Sequence, residues 1–153
     1  MHSHRVAALS TVLFAFAVFS CDTDVDNTDP DAEVISAQCL EAEDHSDLEW
    51  IQDNVFTRSC AAFNACHRGA ALSALQLNLE AGMTEANTVN VAAQTENASG
   101  FNLVVPGDPA QSYMMVALGA RPGPIGPAGT MPFNSPLLCS QKLDAIERWI
   151  NSL

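Results

Sequence analysis

Positive charge is scarce in this chain: six Lys and Arg stand against eighteen Asp and Glu, for a formal net charge of -12. Nothing forms a basic patch, which argues against nucleic acid as a partner. Long apolar runs are missing as well. The run from Val6 to Phe19 covers 14 residues, too few to cross a bilayer. No strand-like alternation is long enough to build a sheet. The body holds no Ser-His-acid or paired-carboxylate grouping, so an independent enzyme is not expected. No repeat or second domain is visible, and the expected class is a small all-α fold with long loops.

What is present begins with an export signal. Arg5 precedes the Val6–Phe19 run, and Val18-Phe19-Ser20-Cys21 resembles a bacterial lipoprotein cleavage site. Residues 1–20 are therefore expected to be a lipoprotein signal peptide, with Cys21 the lipidated first residue of the mature chain. The alternative is ordinary secretion, with Cys21 lost or left free. Either way the protein leaves the cytoplasm. With lipid attached it sits in the cell envelope, facing the periplasm and anchored to a membrane without spanning it. Asp22, directly after Cys21, favours the inner over the outer membrane.

The acidity is unevenly distributed. Residues 22–53 hold 12 of the 18 carboxylates and no Lys or Arg, whereas from Asn54 onward six acids face five bases. The body is nearly neutral. The leader repels itself and stays solvated, so residues 21–45 are expected to be a disordered acidic tether with a reach on the order of 25–30 Å. Asp22, Asp24, Asp26 and Glu33 occupy EF-hand ligand positions. Asn27 stands where that loop needs Gly and Pro30 interrupts it, so a solvated spacer is the better reading.

The folded domain is expected to span 46–153. Ser46-Asp47-Leu48-Glu49 reads as a capping box, opening a helix with Leu48, Ile51, Val55 and Phe56 on one face and Trp50 beside it. That helix delivers Cys60 to the edge of the core. Leu72, Leu75, Leu77 and Leu79 alternate, and a short helix is expected from Thr84 to Ala93. Asp108-Pro109 is a helix start for Ala110–Leu118, stopped by Gly119. The Gly- and Pro-rich stretch from Gly119 to Pro132 must be an irregular loop. Ser140 caps a final amphipathic helix with Leu143, Ile146, Ile150 and Leu153 in one stripe, flanked by Trp149.

The chemistry-bearing residues lie at the end of the first helix. Cys60-Ala-Ala-Phe-Asn-Ala-Cys66-His67 ends in a Cys-His pair, and Met131-Pro132 follows 64 positions after His67. With Val104-Val105-Pro106-Gly107-Asp108-Pro109, Ser112-Tyr113 and the closing Ala145–Ile150 helix, this order resembles the planctomycete-type cytochrome c domain over essentially residues 46–153. The resemblance implies one covalent haem c. Cys60 and Cys66 would form its thioethers, and His67 and Met131 would be its axial metal ligands. A His/Met pair saturates the iron and raises its potential. The implied function is therefore electron transfer to a redox partner protein in the cell envelope, with no bond chemistry.

Covalent haem attachment normally uses C-x-x-C-H, and here five residues separate the thiols. Three outcomes stay open: attachment through both cysteines, attachment through Cys66 alone, or a haem-free interaction module in which Cys60 and Cys66 pair as a disulfide. Cys66, His67 and Met131 are also ligands of the sort that hold copper, which makes a copper carrier a further alternative. If haem takes Cys60 and Cys66, then Cys39 and Cys139 are left to bridge, and the same bridge is expected without haem. Arg68 and Arg121 are candidate partners for haem propionates, although single arginines are more often surface charges. At least one of Met114 and Met115 reads as core filler, Met83 has no evident partner, and His45 reads as exposed.

Overall fold

Ile51, Val55, Phe56 and Cys60 recur at helical spacing, and an apolar stripe of that kind must be covered by other elements. The computed structural model describes residues 35–69 and 71–153. Among them the helices run in the order α1 (Ala37–Glu41), α2 (Leu48–Ile51), α3 (Thr84–Thr88), α4 (Tyr113–Ala117) and α5 (Ser140–Ser152). Single 3-10 turns occur at Ala42–Asp44, Leu72–Ala74 and Glu96–Ala98. No strand forms among the described residues. The backbone pairs Val89 with Val104, Ala92 with Asn102 and Asn102 with Ser112 only as isolated bridges. The protein is all-α, as the absence of alternation implies.

The stripe is covered by α5, whose Ala145, Ile146, Trp149 and Ile150 are buried against Ile51, Val55 and Phe56. Phe56 and Trp149 meet edge to plane, with centroids 6.3 Å apart and planes at 74°, a geometry that adds about 0.5–1.5 kcal/mol beyond area burial. Met114 and Met115 of α4, with Val104, Leu118 and Leu79, complete this core. Both methionines are core filler, as expected. A smaller cluster of Ala98, Tyr113 and Val116 receives Phe101, Leu103 and Ile125. The Gly- and Pro-rich loop after α4 packs there because it carries so little bulk: a Cβ on Gly123 would lie 2.7 Å from Val116 Cγ1.

After Ile51 the helix does not keep its α pitch. From Gln52 to Cys60 it widens into a π-helix, closed by Ala61 N–H donating to the Phe56 carbonyl at 2.7 Å. Several of its carbonyls take side-chain donors: Asn54 Nδ2 to Trp50 O (3.1 Å), Arg58 Nε to Asp53 O (3.1 Å) and Lys142 Nζ to Asn54 O (3.0 Å). Lys142 reaches from α5 and is buried, and burial holds its ammonium below the usual lysine range. The widened helix is thereby tied to α5 by a charge-assisted bond as well as by packing.

The structure corrects several local expectations. The described part of the expected tether, residues 35–45, is folded. Ser36 caps α1, Ala42 is fully buried, and Cys39 is disulfide-bonded to Cys139 with Cα atoms 6.3 Å apart. Arg148 of α5 donates to the carbonyls of Ala42 (2.7 Å) and His45 (2.8 Å and 3.1 Å), fixing the same segment. A staple and an arginine fork thus outweigh the local repulsion among Glu41, Glu43 and Asp44. The rest of the expected tether, the signal peptide, Cys21 and the EF-hand-like carboxylates lie outside the described residues. No helix among the described residues is long and apolar enough to cross a membrane.

Helix boundaries also shift. Asp47, not Ser46, caps α2, accepting Trp50 N–H at 2.8 Å. His45 is half-buried, stacked on Trp50 at 4.4 Å and bonded through Nδ1 to Asp47 at 2.9 Å. The helix after Thr84 stops at Thr88, where Asn90 adopts a positive φ. Asp108-Pro109 forms a turn, with Asp108 Oδ1 accepting Gln111 N–H, and α4 begins only at Tyr113. Gly119 follows α4 with φ +76°, in keeping with its expected role as a stop. Ser140 is the first residue of α5 and does not cap it, and Leu153 is exposed beyond its end. Of the alternating leucines, Leu79 is buried and Leu77 packs against the core, while Leu72 and Leu75 face solvent.

Two stability predictions follow from these contacts. Replacing Cys39 and Cys139 together with Ser releases a closure spanning 100 positions, and the unfolding free energy should fall by roughly 2–5 kcal/mol in denaturant titrations. A loss under about 1 kcal/mol would mean that Arg148 and core packing hold the ends without the staple. The Asp47 carboxyl is held below the ordinary range by His45 and by the Trp50 N–H. A depressed carboxyl contributes stability above its unfolded pKa and loses it as pH falls through the folded value. Asp47→Ala should therefore cost about 1 kcal/mol near pH 7, and the gap to wild type should shrink toward about pH 3. A gap independent of pH would remove the carboxylate from this role.

Candidate functional site

Cys60 is the last residue of the π-helix and joins the main core, with 7% of its surface exposed. Its neighbour across the turn is brought close by the backbone: His67 N–H donates to the Cys60 carbonyl at 3.0 Å, and Cys66 N–H donates to Phe63 O at 2.9 Å. Those two bonds close the segment into a loop whose extra length bulges into solvent. Phe63 is 71% exposed, and Asn64 and Ala65 are exposed beside it. The long spacing between the thiols is therefore absorbed outward, leaving the two ends of the loop joined.

Cys60 and Cys66 are both free thiols, so the disulfide of the haem-free alternative is not formed. Burial, and next the proximity of Cys66, push the Cys60 thiol up to about 12. It stays protonated at neutral pH and is a poor thiolate nucleophile or metal donor.

His67 is held by its side chain and its backbone from one short segment. Its Nδ1 lies 3.2 Å from the Leu77 carbonyl. A carbonyl only accepts, so Nδ1 carries the proton and the neutral ring presents Nε2 as its lone-pair donor. Leu79 N–H donates to the His67 carbonyl at 2.8 Å. Burial holds the imidazole below its ordinary pKa, partly offset by the bond to Leu77. The neutral form, which is the ligating form, is favoured.

The residues that follow His67 are gripped by Glu80. Gly69 N–H donates to Oε2 at 3.1 Å, and Arg68 Nε pairs with Oε1 at 3.3 Å. Asn78 braces the same carboxylate from Nδ2 at 3.2 Å and accepts Glu80 N–H at 2.9 Å. Backbone and side-chain donors from Gly69, Asn78 and Arg68 keep the Glu80 carboxyl below its ordinary range. Arg68 is thus committed to a protein carboxylate. Arg121 is likewise paired with Glu147, though its buried Nε has no partner.

Met131 is half-buried against the core cluster that contains Cys60, with its N–H donating to the Ala117 carbonyl at 2.7 Å. Leu77 and Leu79, which hold His67, pack on that cluster too. Cys60, Met131 and the His67 support therefore border one apolar core. A groove of about 210 Å³ runs between Arg58, Ser59, Ala62 and Phe63 on one side and Pro132, Ser135 and Pro136 on the other. Neither it nor a cleft of about 400 Å³ between Leu48–Asp53 and Ala81–Glu85 is lined by any of the four candidate residues. Among the described residues no three His, Cys, Asp or Glu side chains converge as a metal-binding group.

Sequence reasoning missed Leu77, Asn78 and Glu80, the residues that hold His67. Comparison of the chain with protein-family models, with curated proteins and with solved structures finds no match. The site is therefore defined by its own geometry: two free thiols and an oriented neutral imidazole on one backbone loop, with a thioether at the edge of the same core.

Proposed function

We propose that this protein is an exported, lipid-anchored electron-transfer protein of the cytochrome c type, with one haem attached through the Cys60–His67 loop. The observation that carries the reading is the setting of His67: directly after a free thiol, with Nδ1 3.2 Å from the Leu77 carbonyl, a contact that leaves Nε2 as the available donor. Second-sphere bonds of this kind fix the tautomer and orientation of ligating imidazoles. The donor set fits. Cys60 and Cys66 would hold the cofactor covalently, His67 and Met131 would ligate its iron, and the group would supply a one-electron redox centre.

The protein's own part is ligation and exclusion of water. With both His67 and Met131 as ligands the iron would keep no open position for a substrate, which favours a carrier over a catalyst. The groove between Arg58–Phe63 and Pro132–Pro136 is lined by none of the four candidate residues and is smaller than the roughly 300–1,000 Å³ of ordinary ligand pockets, so it is not itself the cofactor's seat. Exposed Phe63 and Phe133 flank this region in sequence. Reached by a lipid tether, the domain would meet a redox partner in the cell envelope.

The test is maturation in a host that assembles c-type cytochromes, followed by a pyridine haemochrome spectrum of the purified full chain. A covalent c-type spectrum with one haem per chain is expected. Cys66→Ser should abolish attachment, and Met131→Ala should change the visible spectrum and the midpoint potential while leaving the haem attached. Colourless protein with an intact Cys39–Cys139 bond would refute the proposal. A spectrum and potential indifferent to Met131→Ala would remove that residue as a ligand.

A further inference from the structure

The bond that orients His67 depends on where the Leu77–Glu80 segment is held, and that segment is too short to hold itself. Its main anchor comes from the π-helix. Gln52 is buried on that helix, and its Nε2 donates to the Leu79 carbonyl at 2.9 Å. Its Oε1 accepts the Thr84 hydroxyl at 2.6 Å, and Nε2 also lies 3.2 Å from Thr57 Oγ1. On the far side Asn87 Nδ2 donates to the Asn78 carbonyl at 2.9 Å. Leu79 is the residue whose N–H grips the His67 backbone, and Leu77 O accepts from the His67 ring.

We infer that Gln52 is a positioning residue for His67: its buried amide fixes the Leu77–Leu79 backbone so that the Leu77 carbonyl selects the Nδ1–H tautomer and leaves Nε2 as the donor. Gln52 lies eight positions before Cys60 on the same π-helix. The amide therefore couples the placement of the first thiol to the orientation of the imidazole, across a sequence separation of 27 between Gln52 and Leu79. Among the described residues no other side chain hydrogen-bonds from the π-helix to that segment, and both ends of the Gln52 amide are paired. The bonds to Leu79 and Thr84 use opposite ends of the amide, so they can be removed separately. The functional meaning of this coupling rests on the proposed role of His67 as a ligand. The coupling itself does not.

The tautomer can be read without any cofactor, from long-range proton–nitrogen correlation spectra of the His67 ring in the haem-free, nitrogen-15-labelled chain at mildly alkaline pH. Wild type should show Nδ1–H as the main form. Gln52→Leu, which fills the space but removes both bonds, should raise the Nε2–H population about fivefold or more, the order that one hydrogen bond sustains. Gln52→Asn, too short to reach both partners, should shift it in the same direction, and it serves if the leucine variant fails to fold. Thr84→Val removes the Gln52 acceptor contact, spares the bond to Leu79, and should leave the tautomer in place. Wild type in the Nε2–H form overturns the inference. So does a Gln52 variant that folds and keeps the wild-type tautomer. A chain that matures without haem but obeys this pattern refutes the cytochrome reading alone.

Discussion

The core of this domain is gathered on α5, against which the helix from Leu48 to Cys60 and the Ala42–Asp44 turn both pack. Ile51, Val55 and Phe56 bury their side chains on Ala145, Ile146, Trp149 and Ile150, and fully burying an aliphatic or aromatic side chain is worth roughly 1.5–3 kcal/mol. Neither helix could present so apolar a face to water alone. The contact is also polar at one point, where Lys142 crosses from α5 to the Asn54 carbonyl. Around this pair the chain has little regular structure, and α3 and α4 are five residues each. A short helix is marginal without tertiary support, so these elements exist because the central pair gives them a surface to cover.

Loops without secondary structure must find partners for their backbone groups elsewhere. Here side chains supply them. Ser112 is buried, accepting Val105 N–H at 2.8 Å and donating to Asp108 O at 2.9 Å, which sets the turn before α4. Gln52, Asn78, Asn87 and Glu80 do the same for the stretch after His67. The consequence for the site is an uneven set of contacts. His67 is braced by side-chain and backbone bonds, while the Met131 side rests on one backbone bond and apolar contact.

The sequence conveyed the large pattern and missed its local terms, for identifiable reasons. Helical periodicity is a property of many residues, so the faces of the first and last helices and the methionine pair of α4 were readable. The π pitch was not, because nothing in Gln52–Cys60 differs in composition from an α-helix; it is set partly by side chains such as Lys142, 88 residues from Asn54. The folded start at Ser36 was hidden by charge. Acidic residues 41–44 read as solvated, whereas a disulfide and Arg148, both distant in sequence, override that preference. The clues to the His67 support were weaker still. Gln52 lies on the apolar face beside Val55 and Phe56, and a polar residue in such a position must have partners, but no spacing rule names them.

The thiol spacing looks different once the loop has a shape. Counted along the chain, five residues between the cysteines argue against a common attachment site. Through space, the count matters less than the bond from His67 N–H to the Cys60 carbonyl, which returns the chain to its starting point and sends Phe63, Asn64 and Ala65 outward. An insertion that leaves and rejoins at one hydrogen bond changes the loop's surface more than the relation between its ends, because closing a slightly longer loop costs little extra entropy. The more stringent demand falls on Cys60. Its thiol is buried among core side chains, so any chemistry there requires either that the π-helix end turn outward or that the reacting group enter the core edge beside it. Cys66, half-exposed and next to His67, meets no such barrier. On the proposed reading, attachment through Cys66 would have the lower structural cost.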